Sequence, residues 1–246
     1  MSGAGEWFFS AVAPYALATA RLAPVTFLCP VLGGAVAPPT VRLGVALALS
    51  AFAVRISPSA SIPSSAAGFV AALLLEGLVG LAFGLAASAP FDAARVSGRF
   101  IDLARGSSAE AALPHAGSRE TASGDLLYQL LVAVAATGVA LPHLIGALAR
   151  GFALVPPGGT TLAMASADEA IRVTGSVLAV GLAVAAPVFV ACLLVDFTVA
   201  LAARMAPSLG LGEQVSGLRL IVGALAFWVG IGAAAQSLLD TAVVPR

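Results

Sequence analysis

Residues 92–125 read DAARVSGRFIDLARGSSAEAALPHAGSRETASGD, and they decide how the rest of the chain is read. Of 12 basic and 12 acidic residues in the whole sequence, 9 fall within these 34 positions: Asp92, Arg95, Arg99, Asp102, Arg105, Glu110, Arg119, Glu120 and Asp125. His115, one of two histidines, lies there too. The sequence on either side is mostly apolar. A polar island between two hydrophobic halves is either a solvated loop or the working part of a membrane assembly. It divides the chain into a hydrophobic helical half (1–91), a polar helix with a loop (92–125) and a second hydrophobic helical half (126–246).

The composition favours the membrane. The 246 residues are 60% hydrophobic and 10% charged, with a mean hydropathy of +1.03, against about 25% charged residues in ordinary soluble domains. A chain this short keeps a large surface when folded and cannot hide so much apolar area in one core. Lipid or other apolar protein must therefore cover much of it. The net charge is zero and every basic residue is arginine, so no basic patch points to nucleic acid. Cys29 and Cys192 lie far apart in apolar runs, as small buried hydrophobes do, and no ligand cluster suggests a metal. The first charge is Glu6. Without a basic leading segment, a cleaved signal peptide is not expected.

Charge-free runs mark the hydrophobic segments: 7–20, 22–41, 43–54, 56–75, 77–91, 126–149, 173–195 and 220–239. A spanning helix needs about 20 apolar residues, and 126–149, 173–195 and 220–239 read as plain spans. The first half is cut by Arg21, Arg42, Arg55 and Glu76 and by seven prolines from Pro14 to Pro63. Proline inside a helix removes a hydrogen bond, so short or broken helices are expected at about 5–20, 22–36, 39–56 and 65–90. Broken helices need their loose backbone groups satisfied by protein or by a wet cavity, which points to burial inside an assembly. Glu76, Gly80 and Gly84 share one helix face. The glycines allow close backbone approach, and an acid on that face must be paired or wet.

Residues 92–105 can be helical, with Arg95, Arg99 and Asp102 on one face. Residues 106–124 have the small, polar, Gly- and Pro-punctuated composition of a loop. Ser123 and Asp125 are good N-cap residues for the next helix. Pro156-Pro157-Gly158-Gly159 ends that helix. Asp168 and Glu169 suit the start of the following one, Pro187 is expected to kink it and Pro207 to end it. Asp196 and Arg204 lie two turns apart on it. The final helix is expected at about 214–240. Arginines are spread over all the loops and fix no orientation. No phosphate loop, dinucleotide fingerprint or zinc motif is present, and neither His115 nor His143 has a nucleophile at a telling spacing. Catalytic, cofactor-binding and metal-binding residues are therefore all expected to be absent.

The order of these features resembles the FliR/SctT family of export-apparatus proteins of flagellar and virulence type III secretion. The resemblance rests on Arg21, Pro30 and Gly33, on Pro39-x-x-Arg42, on Glu76-x-x-x-Gly80-x-x-x-Gly84, on Gly98-Arg99-Phe100-Ile101-Asp102-Leu103-Ala104-Arg105-Gly106, and on Ala186-Pro187, Asp196, Arg204 and Ala206-Pro207-Ser208-Leu209. Ala104 departs from the family's usual polar residue, and Gly212 and Gly217 from its aromatic and proline, while Arg219 keeps its charge. The resemblance implies an all-α membrane-type protein with broken, Pro- and Gly-kinked helices, built into a helical hetero-oligomeric gate in the bacterial inner membrane and lying partly on the periplasmic side. The implied partners are the FliP/SctR-type and FliQ/SctS-type subunits, a FlhB/SctU-type export switch protein and unfolded secreted proteins in transit. In such proteins the segment matching 98–124 helps to plug the channel. Gly98, Arg99, Asp102, Arg105 and Gly106 become candidates for the base of that plug. Arg21, Pro30, Pro39, Arg42, Glu76, Gly80, Gly84, Pro187, Asp196, Arg204 and Pro207 become candidates for helix packing and assembly. The alternative is a small-solute or ion permease, which also uses broken helices and buried acids; inverted repeats would favour it, and none is found.

Overall fold

The structure is a computed structural model that describes residues 3–34, 37–57, 60–63, 65–107, 110–111, 120–139, 141–159, 167–206 and 215–243. Its helices are α1 (Gly3–Leu28), α2 (Pro39–Ile56), α3 (Ala66–Arg105), α4 (Ala122–Val134), α5 (Leu141–Leu154), α6 (Ala167–Met205) and α7 (Val215–Val243). Two two-residue strands, β1 (Glu110–Ala111) and β2 (Glu120–Thr121), pair antiparallel with Glu110 opposite Thr121. The fold is all-α as expected, and five described helices are long and apolar enough to cross a membrane. The broken pair formed by α4 and α5 makes a sixth when it is counted as one span.

Three expectations about the helices need correction. The break at Arg21 does not occur. α1 runs through it as one helix of 26 residues and keeps Pro14 and Pro24 inside. The arginine is paired within the protein, so its charge gives the helix no reason to stop. The segment 65–90 does not end before the polar island either. It continues through Pro90 to Arg105 as a single helix of 40 residues. The run 126–149 is not a plain span. It breaks at Ala135–Val139, where a wide helical turn contains Gly138 at φ 109°, a conformation open to glycine and strained for other residues.

Contacts group the chain into two compact units, 1–89 with 135–174 and 90–134 with 175–246. In the first, α1 and α2 meet through the turn at Pro30–Leu32, and Val25, Cys29 and Leu32 pack against Leu141, Leu144 and Leu148 of α5. A second cluster joins Ala18 and Leu22 of α1 to Ala53 of α2 and Phe152 of α5. α1 also meets α3 at backbone distance. A Cβ at Gly80 would overlap the backbone of Arg21, and one at Gly84 would lie 3.0 Å from the Pro24 carbonyl oxygen. This is the close approach that small residues permit between membrane helices.

In the second unit the buried side chains include Phe91, Ala94 and Ile101 of α3, Leu127, Tyr128 and Leu131 of α4, and Val184, Val188 and Cys192 of α6. α3 crosses α4 as tightly as it crosses α1, because a Cβ at Gly98 would overlap the backbone of Gly124.

Candidate functional site

Each unit holds a cluster of arginine and carboxylate groups, and the two clusters are built differently. In the first, Arg21 of α1 and Glu76 of α3 form a bidentate ion pair. Arg21 Nε donates to Glu76 Oε2 at 2.5 Å and Nη2 to Oε1 at 3.0 Å. Both side chains are buried, at 3% and 0% exposure. Two charges removed from solvent need further hydrogen bonds to be tolerated, and the turn after α5 supplies them. Arg21 Nη1 donates to the Val155 carbonyl at 2.8 Å, and the Gly158 amide donates to Glu76 Oε1 at 2.7 Å. The Arg21 guanidinium also lies over the Phe152 ring, 4.6 Å from its centre, a favourable cation–π position. The Ser61 amide holds the same turn through the Pro157 carbonyl. One buried pair therefore ties α1, α3 and the turn at 155–158 together.

The second cluster sits where the polar island folds back. Asp102, near the end of α3, accepts the Ser123 amide at 2.9 Å and the Ser123 hydroxyl at 2.6 Å. The first amides of a helix have no partner of their own, so Asp102 caps α4 from another helix. Its negative charge also suits the positive end of the α4 dipole. Arg105 Nη1 lies 3.4 Å from both Asp102 Oδ1 and Ser123 Oγ. The Ser107 amide donates to the Asp102 carbonyl at 2.9 Å, and β1 and β2 pair just beyond. Asp102 thus ties the chain leaving α3 at Ser107 to the start of α4 at Ser123. Arg95, one turn before Arg99, stacks on Tyr128 of α4 at 3.8 Å.

A third pair lies in the same unit. Arg219 of α7 donates to Asp196 of α6 from Nη2 at 2.6 Å and from Nε at 3.0 Å, with side-chain exposures of 31% and 36%.

The residues singled out in the sequence fall into three groups. Arg21, Glu76, Gly80 and Gly84 come together along the α1–α3 crossing. Gly98, Asp102 and Arg105 come together at the α3–α4 crossing, with Gly106 just past the end of α3 at φ 69° and Arg99 on its exposed side. Arg42, Pro30 and Pro39 build the turn between α1 and α2. Arg42 Nε donates to the Ala37 carbonyl at 2.7 Å and its guanidinium covers Phe27, Pro30 opens the turn, and Pro39 is the first residue of α2. Asp196 pairs with Arg219, while Pro187 and Arg204 lie on exposed parts of α6. Pro207 lies outside the described residues, as do His115 and Arg119. The sequence reading missed the role of Phe152 and of the Val155 and Gly158 backbone. Their signal was the Pro-Pro-Gly-Gly run, whose glycines are free to present amides.

Residues 12–242 match the family model described as bacterial export proteins, family 1. The chain belongs to this family. The FliR/SctT resemblance read from Arg21, Glu76, Asp102 and Asp196 is thus the family shown. As a family 1 export protein it is similar to the Yop proteins translocation protein T of Yersinia pestis, at 31% identity over 137 residues, covering 54% of this chain and 52% of that protein. The protein of the same description from Yersinia pseudotuberculosis serotype I (strain IP32953) matches equally. The chain spans about half the length of the curated relatives it matches. With five described helices long and apolar enough to cross a membrane, this family 1 export protein is a multi-pass membrane protein.

Proposed function

We propose that this chain is a structural and gating subunit of a type III secretion export apparatus in the bacterial inner membrane. It forms part of the channel through which unfolded proteins cross, together with FliP/SctR-type, FliQ/SctS-type and FlhB/SctU-type subunits. The family and the translocation protein of Yersinia support the export role. The observation that carries the gating role is the clamp of Asp102 on Ser123. A channel for unfolded chains must stop ions and small solutes at rest and still yield to a polypeptide. A loop held at its base can block the path, then move aside without breaking packed helices. Asp102, Ser123 and Arg105 form the base of that plug, and 107–121 its moving part.

The reading is tested by co-expressing the chain with the three partner types and examining the product by native mass spectrometry. A stable hetero-oligomer that contains this chain is expected. A lone oligomer of this chain with transport activity of its own would overturn the proposal and favour a permease.

A further inference from the structure

The Asp102 clamp and the Asp196–Arg219 pair meet at one place, the C-terminal end of α3. A Cβ at Gly223 of α7 would overlap the side-chain stem of Arg105 and lie 3.0 Å from Cys192 Sγ of α6. Arg105, the last residue of α3, therefore lies in a slot between α7 and α6 that a glycine leaves open. Arg219 stands one turn before Gly223 on the same face of α7. Its Nη1 would lie 3.9 Å from a Cβ at Gly106, and its carbonyl accepts the Cys192 thiol at 3.9 Å. Asp196 of α6 neutralises its charge, which lets two arginines share this end of α3.

Arg105 is packed tightly and bonded loosely. Its Nη1 contacts to Asp102 and Ser123 are 3.4 Å each, longer than the usual ~2.7–3.2 Å. The bonds from Ser123 to Asp102 are 2.6 and 2.9 Å. Arg105 Nε is buried without a hydrogen-bond partner among the described residues. A buried donor left open disfavours the position it occupies. Hydrogen bonds therefore do not set where Arg105 stands; the stem wedged against Gly223 does. α7 has the smallest buried share of the five long apolar helices, and its ion pair to α6 is about one-third exposed. Few buried contacts mark the element that shifts most easily.

We propose that Arg105 is the latch by which α7 controls the clamp. With its stem against Gly223, the guanidinium stays within reach of Asp102 and Ser123. A shift of α7 against α3 moves the stem, takes the guanidinium beyond hydrogen-bond distance and leaves Asp102 to hold Ser123 alone. Arg105 is thus a positioning residue, acting on 107–121 through Asp102 and Ser123. The coupling of α7 to the clamp stands on geometry within one unit. Its consequence for the channel rests on the gating role proposed above.

The coupling is read in the purified chain in detergent, by amide hydrogen exchange at the start of α4, where the Ser123 amide donates to Asp102. Gly223→Val should raise exchange there about tenfold, the worth of one charge-assisted hydrogen bond, and Gly223→Ala should raise it less. Gly230→Val, on the same helix but with nothing within 4 Å of its Cβ position, should leave it unchanged. Arg105→Ala empties the slot, so Gly223→Val should add nothing to it. Equal increases with and without Arg105 would overturn the proposal, because the push would then reach α4 by another route. So would a Gly223→Val chain that exchanges there at the rate of the unaltered chain. Arg105→Met keeps the stem and removes the guanidinium, which keeps the result readable if the valine variant misfolds. It should loosen the start of α4 and leave α6 and α7 as protected as before; an unchanged start of α4 would also defeat the latch. In the assembled gate, Gly223→Val should raise the resting ion leak. Raised exchange without a leak upholds the latch and counts against the plug.

Discussion

The Arg21–Glu76 pair and the Asp196–Arg219 pair share one chemistry and differ in surroundings. The first is sealed, at 3% and 0% exposure, and backbone groups of the 155–158 turn complete its hydrogen bonds. The second is about one-third exposed on each side, and among the described residues the two side chains hydrogen-bond only to each other. A sealed, fully bonded pair locks one arrangement of helices, since removing either partner strands a charge. A half-open pair guides helices together and can let go. The Asp102–Ser123 clamp stands between them: its carboxylate is buried at 3% exposure, yet it holds the foot of a polar segment. The two buried carboxylates thus differ chiefly in their partners: Glu76 holds a sealed arginine, and Asp102 holds Ser123 and the partly exposed Arg105.

The comparison breaks most clearly at Glu76. Glu76→Ala leaves Arg21 buried and unpaired and should cost about 3–5 kcal/mol, much of the stability of an ordinary domain. Poor accumulation in membranes and a large drop in the thermal midpoint in detergent are the expected readouts. The double change Arg21→Met/Glu76→Leu should recover much of that loss, because an apolar pair avoids the stranded charge. A double variant as unstable as the single one would show that the pair itself, rather than the orphaned charge, holds the helices.

Gly98→Val comes next. Its side chain would meet the Gly124 backbone, and forcing α3 from α4 should cost about 1–3 kcal/mol, with the second unit loosening first in hydrogen exchange. Asp102→Ala removes the cap on α4 and should cost about 1–2 kcal/mol. Its sharper signature is faster proteolysis within 107–121, with Asp102→Asn falling between the two because it still accepts the Ser123 amide. The smallest effect belongs to Asp196→Ala, at about 0–1 kcal/mol for a pair this exposed. Raising the salt concentration should shrink it, while Glu76→Ala should be indifferent to salt.

These contrasts also explain what could be read from the sequence. The face of Glu76, Gly80 and Gly84 was legible, because helical spacing alone places them together. The loop-like composition after Arg105 was legible too, from its glycines and small polar residues, but the return of Ser123 to Asp102 was not. The pairing of Glu76 with Arg21 was not legible. The two lie 55 residues apart, and Arg21 looked like a helix end because a charge in an apolar run ordinarily is one. The break inside 126–149 was hidden for the opposite reason. Gly138 is a single glycine in an apolar stretch, and composition does not show its positive φ. The partner of Asp196 was not legible either: Arg204 lies two turns on along the same helix, but it is Arg219 that reaches Asp196, from α7.

The central claim is that 107–121 is a plug hinged on the Asp102 clamp. It is tested most directly by measuring ion conductance across membranes that contain the assembled export gate, with and without deletion of 107–121. The account predicts a resting leak in the deleted form, with the gate still assembled and still passing secreted proteins. An assembled gate whose resting conductance is unchanged by the deletion would contradict it.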